Sequence, residues 1–493
     1  MFKKVLIANR GEIAVRVVRA CRDLGIAAVA VYAPGDEGAL HVRIADEAHP
    51  LDSPGAYRSD AALLAVARAC GADAVHPGYG HISESLTFVR ACEEAGIAVI
   101  GPGSACLERV RNKIAAIDAV RAAGFATTRP STRAFTPDEQ EALLAEADAI
   151  GYPLVVKACA GGRGRGTHVV RGREQLVEVA KRSSAAAHAV YGDPHIYLEA
   201  AVLPSRYIEV PILGDGEGRV IHMGERDGSI QRNTRNLVAE SPAPGLSLAQ
   251  REAIWSAAIG IGRLFGCKGA ATVEFVLDGA GRALFTEVKP RLQVEHPVTE
   301  MVTRIDVVRE QLRIAAGYGL SFLQSDVRLN GVGMFCRINA EDPWHGFLPS
   351  PGRLSVFRQP GGPNVRVDSY AYAGAEVPVY YDSLLAKLTV WGATRDECLG
   401  RLRRALAEFA IGGVQTNLSL LRLILEDEAF VAGTYTTEFS RRRLRETPPR
   451  DDDARGLAAV AALAYLCRAQ AGRPTTPQSF TSGWHRDSRR LPQ

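Results

Sequence analysis

Glu287-Val288-Lys289-Pro290-Arg291-Leu292-Gln293-Val294-Glu295-His296-Pro297-Val298-Thr299-Glu300 packs carboxylates, cations and an amide into fourteen residues. The stretch begins as a strand. Thr272 to Leu277 and Arg282 to Val288 are apolar, β-prone runs joined by Asp278-Gly279-Ala280-Gly281, a turn signal. With that four-residue loop the expected register sets Glu274 opposite Phe285. Glu287 is then the diagonal neighbour of Glu274 on the same face, with Lys289 one step further along. Diagonal neighbours lie roughly 7–8 Å apart, so one divalent cation could bridge the two carboxylates, and Mg²⁺ is commonly held by two carboxylates beside substrate phosphates. A slip of one residue would put them on opposite faces. Alone, the pair reads better as two solvated glutamates on a sheet edge. The residues beyond it shift the balance. Pro290 must end or bend the strand, and Arg291, Gln293 and Glu295 come next, supplying an anion clamp, an amide and a potential general base.

The 493 residues are enough for several domains. Hydrophobic content of 46% and charged content of 23% fit an ordinary globular chain. A net charge of +4 is too small to argue for nucleic acid. The nine cysteines are scattered, with no C-x-x-C pair, so neither a zinc site nor a disulfide framework is suggested. A reducing compartment, the cytoplasm, fits best. Residues 1–9 read as a first buried strand, because a signal peptide needs a longer apolar region and a small-residue cleavage site. No run is long and apolar enough to span a membrane.

Val5 to Ala8 reads as a strand, Ile13 to Leu24 has helical spacing, and Ile26 to Tyr32 is a second buried strand. Strand–helix–strand predicts a parallel sheet. The pattern continues through a helix at 60–70, the short strand Ala74-Val75 and the run 98–100. His76-Pro77-Gly78-Tyr79-Gly80-His81 comes after that short strand, where open α/β sheets place ligands; a tight loop is the plain alternative. Further on, Tyr152 to Lys157 is a strand ending in a lysine. Ala160-Gly161-Gly162-Arg163-Gly164-Arg165-Gly166 comes next, then a strand from Thr167 to Val170. A glycine-rich hairpin between strands can fold over phosphates with its N–H groups. It is no P-loop, since no G-K-[ST] follows and no helix opens there.

Lys113, the Lys157 strand with its glycine loop, Glu199, the Glu274/Glu287 pair and R-L-Q-V-E-H-P-V-T-E together resemble an ATP-grasp enzyme. More narrowly, the chain is similar to the biotin carboxylase subunit or domain of biotin-dependent acyl-CoA and pyruvate carboxylases. I-A-N-R-G-E-I-A at 7–14, H-P-G-Y-G at 76–80, E-R-D at 225–227 and C-R-I-N-A-E-D-P at 336–343 match that family. F-L-P-S-P-G at 347–352, Y-Y-D-S at 380–383 and T-N at 416–417 match it too. The resemblance runs in order from residue 2 to about 445. It implies an α/β fold: an N-terminal Rossmann-like domain at 1–112, an ATP-grasp domain at 113–315 with its lid near 130–203, and a mixed α/β C-terminal domain at 330–445. Residues 446–493 are expected to be a linker, a short apolar helix that wants burial, and a mobile tail.

In that family ATP and bicarbonate form carboxyphosphate, and the carboxyl group passes to N1 of biotin. The resemblance implies that Lys113 and Lys157 hold phosphates under Gly161, Gly162, Arg163 and Gly164. Glu199 and the backbone of Ala200, Ala201 and Val202 would meet the adenine, with Tyr207, Gln231 and Thr234 completing the nucleotide site. Glu274 and Glu287 would ligate Mg²⁺, or Mn²⁺ in its place. Arg291, Gln293 and Val294 would fix bicarbonate, as a guanidinium suits a planar oxyanion. Glu295 would take the bicarbonate proton. Arg337 would stabilise the enolate oxygen of biotin, with Tyr79 near the ureido ring. Arg291, Glu295 and Arg337 are thus the catalytic candidates.

The chain departs from the family pattern at clustered positions. Gln231-Arg232-Asn233-Thr234-Arg235-Asn236 stands where Q-R-R-H-Q-K is usual, so Thr234 replaces a histidine and Asn236 a lysine. Lys289 replaces an asparagine that helps hold a second Mg²⁺. Tyr207 stands for a histidine and Ala200 for a lysine. A reciprocal exchange is expected: Lys289 brings the cation that Asn236 lost, borders the substrate pocket with it and displaces the second metal. Loss of carboxylation is the rival outcome, as is an ATP-grasp ligase for another acid or amine, or a nucleotide-binding subunit without catalysis. The only methionines are Met1, Met223, Met301 and Met334, so no A-M-K-M segment for biotin exists. The biotin carrier protein and carboxyltransferase are therefore expected on separate chains, serving an acetyl- or propionyl-CoA type carboxylase. A homodimer is expected, without nucleic acid or membrane partners.

Overall fold

The computed structural model of the chain describes residues 1–159, 167–232, 234–439 and 460–465. Residues 1–445 form one compact unit and 446–493 another.

The first sheet has five parallel strands, Lys4–Ile7, Ala27–Tyr32, Glu47–Pro50, Ala74–His76 and Ala98–Val99. Lys4–Ile7 lies at the centre, between Ala27–Tyr32 and Ala74–His76. Val5, Leu6 and Ile7 are fully buried, as expected of a parallel strand covered on both faces. The helix Gly11–Asp23 lays Ile13, Val17, Val18 and Cys21 against it, matching the sequence spacing. Glu47–Pro50 was not anticipated; its Glu-Ala-His-Pro sequence alternates polar and small residues at a sheet edge.

A second sheet pairs Leu154–Ala158 antiparallel with His168–Val170 on one side and Ile196–Ala200 on the other. The helices Gln140–Ile150 and Arg173–Tyr191 cover one face, burying Leu143, Ala147, Leu154, Val156, Leu176 and Leu198.

The third sheet is antiparallel and nine-stranded. Ala283–Lys289 is one edge, followed by Lys268–Leu277, Arg206–Asp215, Arg226–Arg232, Arg235–Ser241, Val332–Asn339, Leu384–Gly392 and Val365–Ser369, and the ninth strand, Val220–His222, pairs with Arg206–Asp215 off this path. Here the expected register is corrected. Phe275 pairs with Phe285, and Glu274 pairs with Glu287 directly. A bulge between the two pairs leaves Thr286 as the extra residue, and its hydroxyl donates to the Glu274 carbonyl at 3.1 Å. The Phe275 and Phe285 rings meet edge to face at 6.4 Å in the core. That buried contact pins the hairpin, and the bulge then turns Glu287 onto the face of Glu274.

No described helix is long and apolar enough to cross a membrane. In the second unit the described residues 460–465 are helical. The tail from 472 lies outside the described residues.

Candidate active site

One cleft of about 910 Å³ is lined by every described member of the candidate set, from Tyr79 to Arg337. Gly161, Gly162, Arg163 and Gly164 lie outside the described residues.

The wall nearest the parallel sheet is set by Asn9. Its amide donates to the carbonyls of Pro77 at 2.8 Å and Tyr79 at 2.7 Å, which ties I-A-N-R to H-P-G-Y-G. Gly78 sits at φ +61°, where an added Cβ would come within 2.9 Å of the Asn9 amide, so only glycine suits the bend. The loop carries Tyr79 into the cleft. His76 beneath it is buried and accepts from the Gly78 N–H; burial pushes its imidazole down to about 3, so it stays neutral.

Lys113 opens the helix Lys113–Ala122, capped by Asn112. Its ammonium lies 3.5 Å from the Ala158 carbonyl and 3.8 Å from Glu287 Oε2. Burial lowers its pKa, with Glu287 opposing. Lys157 is gripped by both oxygens of Glu199 at 2.9 Å, and the Tyr197 hydroxyl donates to the same carboxylate. The expected phosphate lysine and the expected adenine contact are thus an ion pair here. Ala200, Ala201 and Val202 continue the same edge of the cleft.

Across the long sheet Glu209, Glu274 and Glu287 stand in one row on three adjacent strands. Arg226 binds Glu209 at 2.6 Å, and Asn236 donates to its other oxygen at 3.1 Å. Gln231 in turn donates to Asn236 at 2.9 Å. Glu274 accepts from Gln293 at 2.8 Å and from the Tyr207 hydroxyl. Lys289 closes the far end, 2.6 Å from Glu287 Oε1 and 3.9 Å from Glu274 Oε2. Burial pushes the Glu274 carboxyl up to about 8, with Lys289 pulling against it. Burial also disfavours the charge on Glu287, but Lys289 and Lys113 outweigh it and hold that carboxyl below the usual range.

This geometry revises the expectation for Glu274 and Glu287 as metal ligands. They are brought together more closely than the diagonal register implied. Yet each of their four oxygens faces Gln293, Tyr207, Lys289 or Lys113. Mg²⁺ demands near-octahedral oxygens at about 2.0–2.1 Å, and an ammonium occupies the approach. The pair does not fit a bridging metal.

At the other end, Glu295 precedes the helix His296–Thr303 and pairs with Arg337 Nη2. Burial opposes its ionisation, but Arg337 and then Arg226 hold the carboxyl below its ordinary value. Asn417 fixes the Arg337 strand by donating to the Arg337 carbonyl at 2.9 Å and accepting from the Asn339 N–H at 2.8 Å, which accounts for T-N at 416–417. Arg291 binds Glu84 through Nε at 2.6 Å. Val294 joins a small core with Ala239, Val298 and Phe335. Among the described residues, the buried polar atoms of cleft-lining side chains that have no hydrogen-bond partner include Tyr79 Oη, Gln293 Oε1 and Arg337 Nε. A buried polar group without a protein partner calls for one, and in a cleft a bound ligand can supply it.

Sequence reasoning missed Glu84 and Glu209. Glu209 had a signal, a lone carboxylate amid apolar residues of a buried strand. Glu84 had none beyond its place after H-P-G-Y-G-H. Thr234 sits at φ +63° in the turn between Arg232 and Arg235.

Comparison with known proteins agrees with this arrangement. Residues 1–107 match the biotin carboxylase N-terminal domain, 112–323 the ATP-binding domain of the carbamoyl-phosphate synthase L chain, and 335–442 the biotin carboxylase C-terminal domain. The chain is 44% identical to biotin carboxylase 1 of Bacillus subtilis, over 89% of this chain and 98% of that protein. It is 42% identical to a pyruvate carboxylase subunit of Methanothermobacter thermautotrophicus, over 89% of each. Among solved structures, the biotin carboxylase domain dimer of Hydrogenobacter thermophilus 2-oxoglutarate carboxylase, in complex with MgADP, ADP and bicarbonate, superposes with a TM-score of 0.87 at 42% identity. That match covers 90% of this chain and 98% of the other.

Proposed function

The chain belongs to the biotin carboxylase family of ATP-dependent ligases, and from that premise we propose that its cleft carboxylates biotin, presented on a separate carrier protein, with ATP and bicarbonate. The observation that carries the reading is convergence. Lys113, Lys157, Arg337 and the Arg291–Glu295 loop come from four separate segments and line one cleft.

Lys113 and Lys157 take phosphate oxygens, with Lys157 exchanging Glu199 for the nucleotide. Glu199, the backbone at 200–202, Tyr207, Gln231 and Thr234 surround the base and sugar. Mg²⁺ or Mn²⁺ accompanies the phosphates and neutralises their charge; no protein ligand is assigned to it. Arg291, oriented by Glu84, holds the bicarbonate anion with Gln293 and Val294. Glu295, kept ionised by Arg337, accepts the bicarbonate proton. Once Glu295 is neutral, Arg337 turns its charge to the ureido oxygen of biotin as negative charge grows there. Tyr79 packs beside that ring.

We further propose the division into domains at 1–112, 113–315 and 330–445, a homodimer, and service to an acyl-CoA carboxylase of the acetyl- or propionyl-CoA type. The dimeric relative supports the homodimer. The final acceptor belongs to the carboxyltransferase, and relatives include subunits of pyruvate and 2-oxoglutarate carboxylases.

ATP hydrolysis with Mg²⁺ and bicarbonate, with and without free biotin, tests the reading. A bicarbonate-dependent rate raised by biotin is expected. Turnover indifferent to both would move the chain to another ATP-grasp substrate, a reading that Asn236 and Lys289 favour. Nucleotide binding with no turnover would leave a non-catalytic subunit.

A further inference from the structure

We propose that Lys289 is a built-in cation: its ammonium takes the place between Glu274 and Glu287, so the protein itself holds no divalent ion there and metal enters the cleft only on nucleotide phosphates. This rests on the cleft being a nucleotide site, and it changes what that site requires.

Three features of the chain place the ammonium. Lys289 follows Glu287 by two residues on one strand, so both side chains share a face. The bulge at Thr286 brings Glu287 directly opposite Glu274. Pro290 then ends the strand, so Lys289 is its last residue. The result is an ammonium 2.6 Å from one carboxylate and 3.9 Å from the other, with its residue only 7% exposed. A buried cation needs partners to be stable, and these carboxylates supply them.

The rest of the row closes the alternatives. Gln293 and Tyr207 engage the two oxygens of Glu274. Lys113 faces Glu287 Oε2 at 3.8 Å. A divalent ion bridging the pair would have to displace Lys289, and would leave that ammonium buried beside a like charge. Arg226 pairs with Glu209, while Lys289 and Lys113 both face Glu287 and Lys289 also lies 3.9 Å from Glu274.

The test counts Mn²⁺ by electron paramagnetic resonance on the full chain, with ADP binding measured separately by calorimetry. Wild type is expected to bind no Mn²⁺ without nucleotide and one per chain with saturating ADP. Lys289→Asn is expected to gain one, and Lys289→Arg to match wild type. Two Mn²⁺ per wild-type chain with ADP, or one without it, overturns the proposal even if Lys289→Asn fails to fold. So does a folded Lys289→Asn, checked by circular dichroism, whose count is unchanged. Absence of ADP binding in calorimetry would instead break the nucleotide reading, and the nucleotide-free arm would still decide whether Lys289 excludes the ion.

Discussion

The two ends of the cleft handle buried charge differently. At one end Glu295 has a single dominant partner, Arg337. At the other, Glu209, Glu274 and Glu287 form a row answered by Arg226, Lys289 and Lys113, with neutral Asn236 completing the hydrogen bonds. A one-to-one pair keeps its base ionised and its arginine aimed, and loses both together. A shared row can move a charge from one position to another, provided the total is kept. Glu295 and Arg337 lie in motifs that match the family pattern, while the departures at 207, 236 and 289 fall on or beside the row.

The sharpest break is at the paired end. Arg337→Ala should lower biotin-dependent turnover by about 10²–10³-fold, the usual effect of removing one group that stabilises a developing oxyanion. It also leaves Glu295 buried without its partner, which costs on the order of 3–5 kcal/mol. Steady-state rates and a urea melt check the two effects, and a variant with near-normal turnover would remove Arg337 from the catalytic set.

At the row, the charge count makes a different demand. Asn236→Lys adds a cation beside Glu209, and Lys289→Asn takes one from Glu287. Each single change should cost roughly ten- to a hundredfold in turnover, while the double change restores most of it. The coupling expected for groups sharing one network is about 0.5–3 kcal/mol. Additive losses in the double variant would mean that the two positions do not exchange a charge.

A pH series separates the two ends by sign. The Glu295 carboxyl is held below its ordinary value of 4.5 in the fold. The stability it contributes is present above 4.5 and is lost as the pH falls through the lower folded value. Glu274 is pushed up to about 8. Between 8 and 4.5 the folded chain takes up a proton that the unfolded chain does not hold, so this residue's contribution rises on acidification. Relative to Glu274→Gln, wild type should gain stability from pH 8 to pH 5. Relative to Glu295→Gln, it should lose stability below pH 4.5. Parallel curves for the two variants would erase the distinction.

The part of this legible beforehand was what local pattern carries. The period-two runs at 272–288, the strand–helix–strand start and the ordered motifs led to the sheets and to a candidate set that gathers in one cleft. What escaped was decided by long-range contacts. Counting loop residues cannot reveal that the Thr286 hydroxyl stabilises a bulge, and the bulge shifts Glu287 from diagonal to direct pairing. Nor can spacing show that Arg291 meets Glu84, 207 residues away. The Lys157–Glu199 pair depends on Leu154–Ala158 pairing with Ile196–Ala200, a contact made only in the folded sheet.

The smallest effect lies in the turn that feeds the row. Thr234 occupies the left-handed region at φ +63°, between Arg232 and Arg235, which close the hairpin. A β-branched residue is disfavoured there, at roughly 1–2 kcal/mol for an L-residue. Glycine adopts this conformation without strain but brings a more flexible unfolded chain, which offsets part of the gain. Thr234→Gly should therefore stabilise the chain by about 1 kcal/mol or less in a urea melt, while weakening ADP binding if the hydroxyl touches the nucleotide. Such strain is kept where it serves a site. A gain in stability with unchanged ADP affinity would confine Thr234 to turn geometry and leave Asn236 and Lys289 as the departures that matter at this end of the cleft.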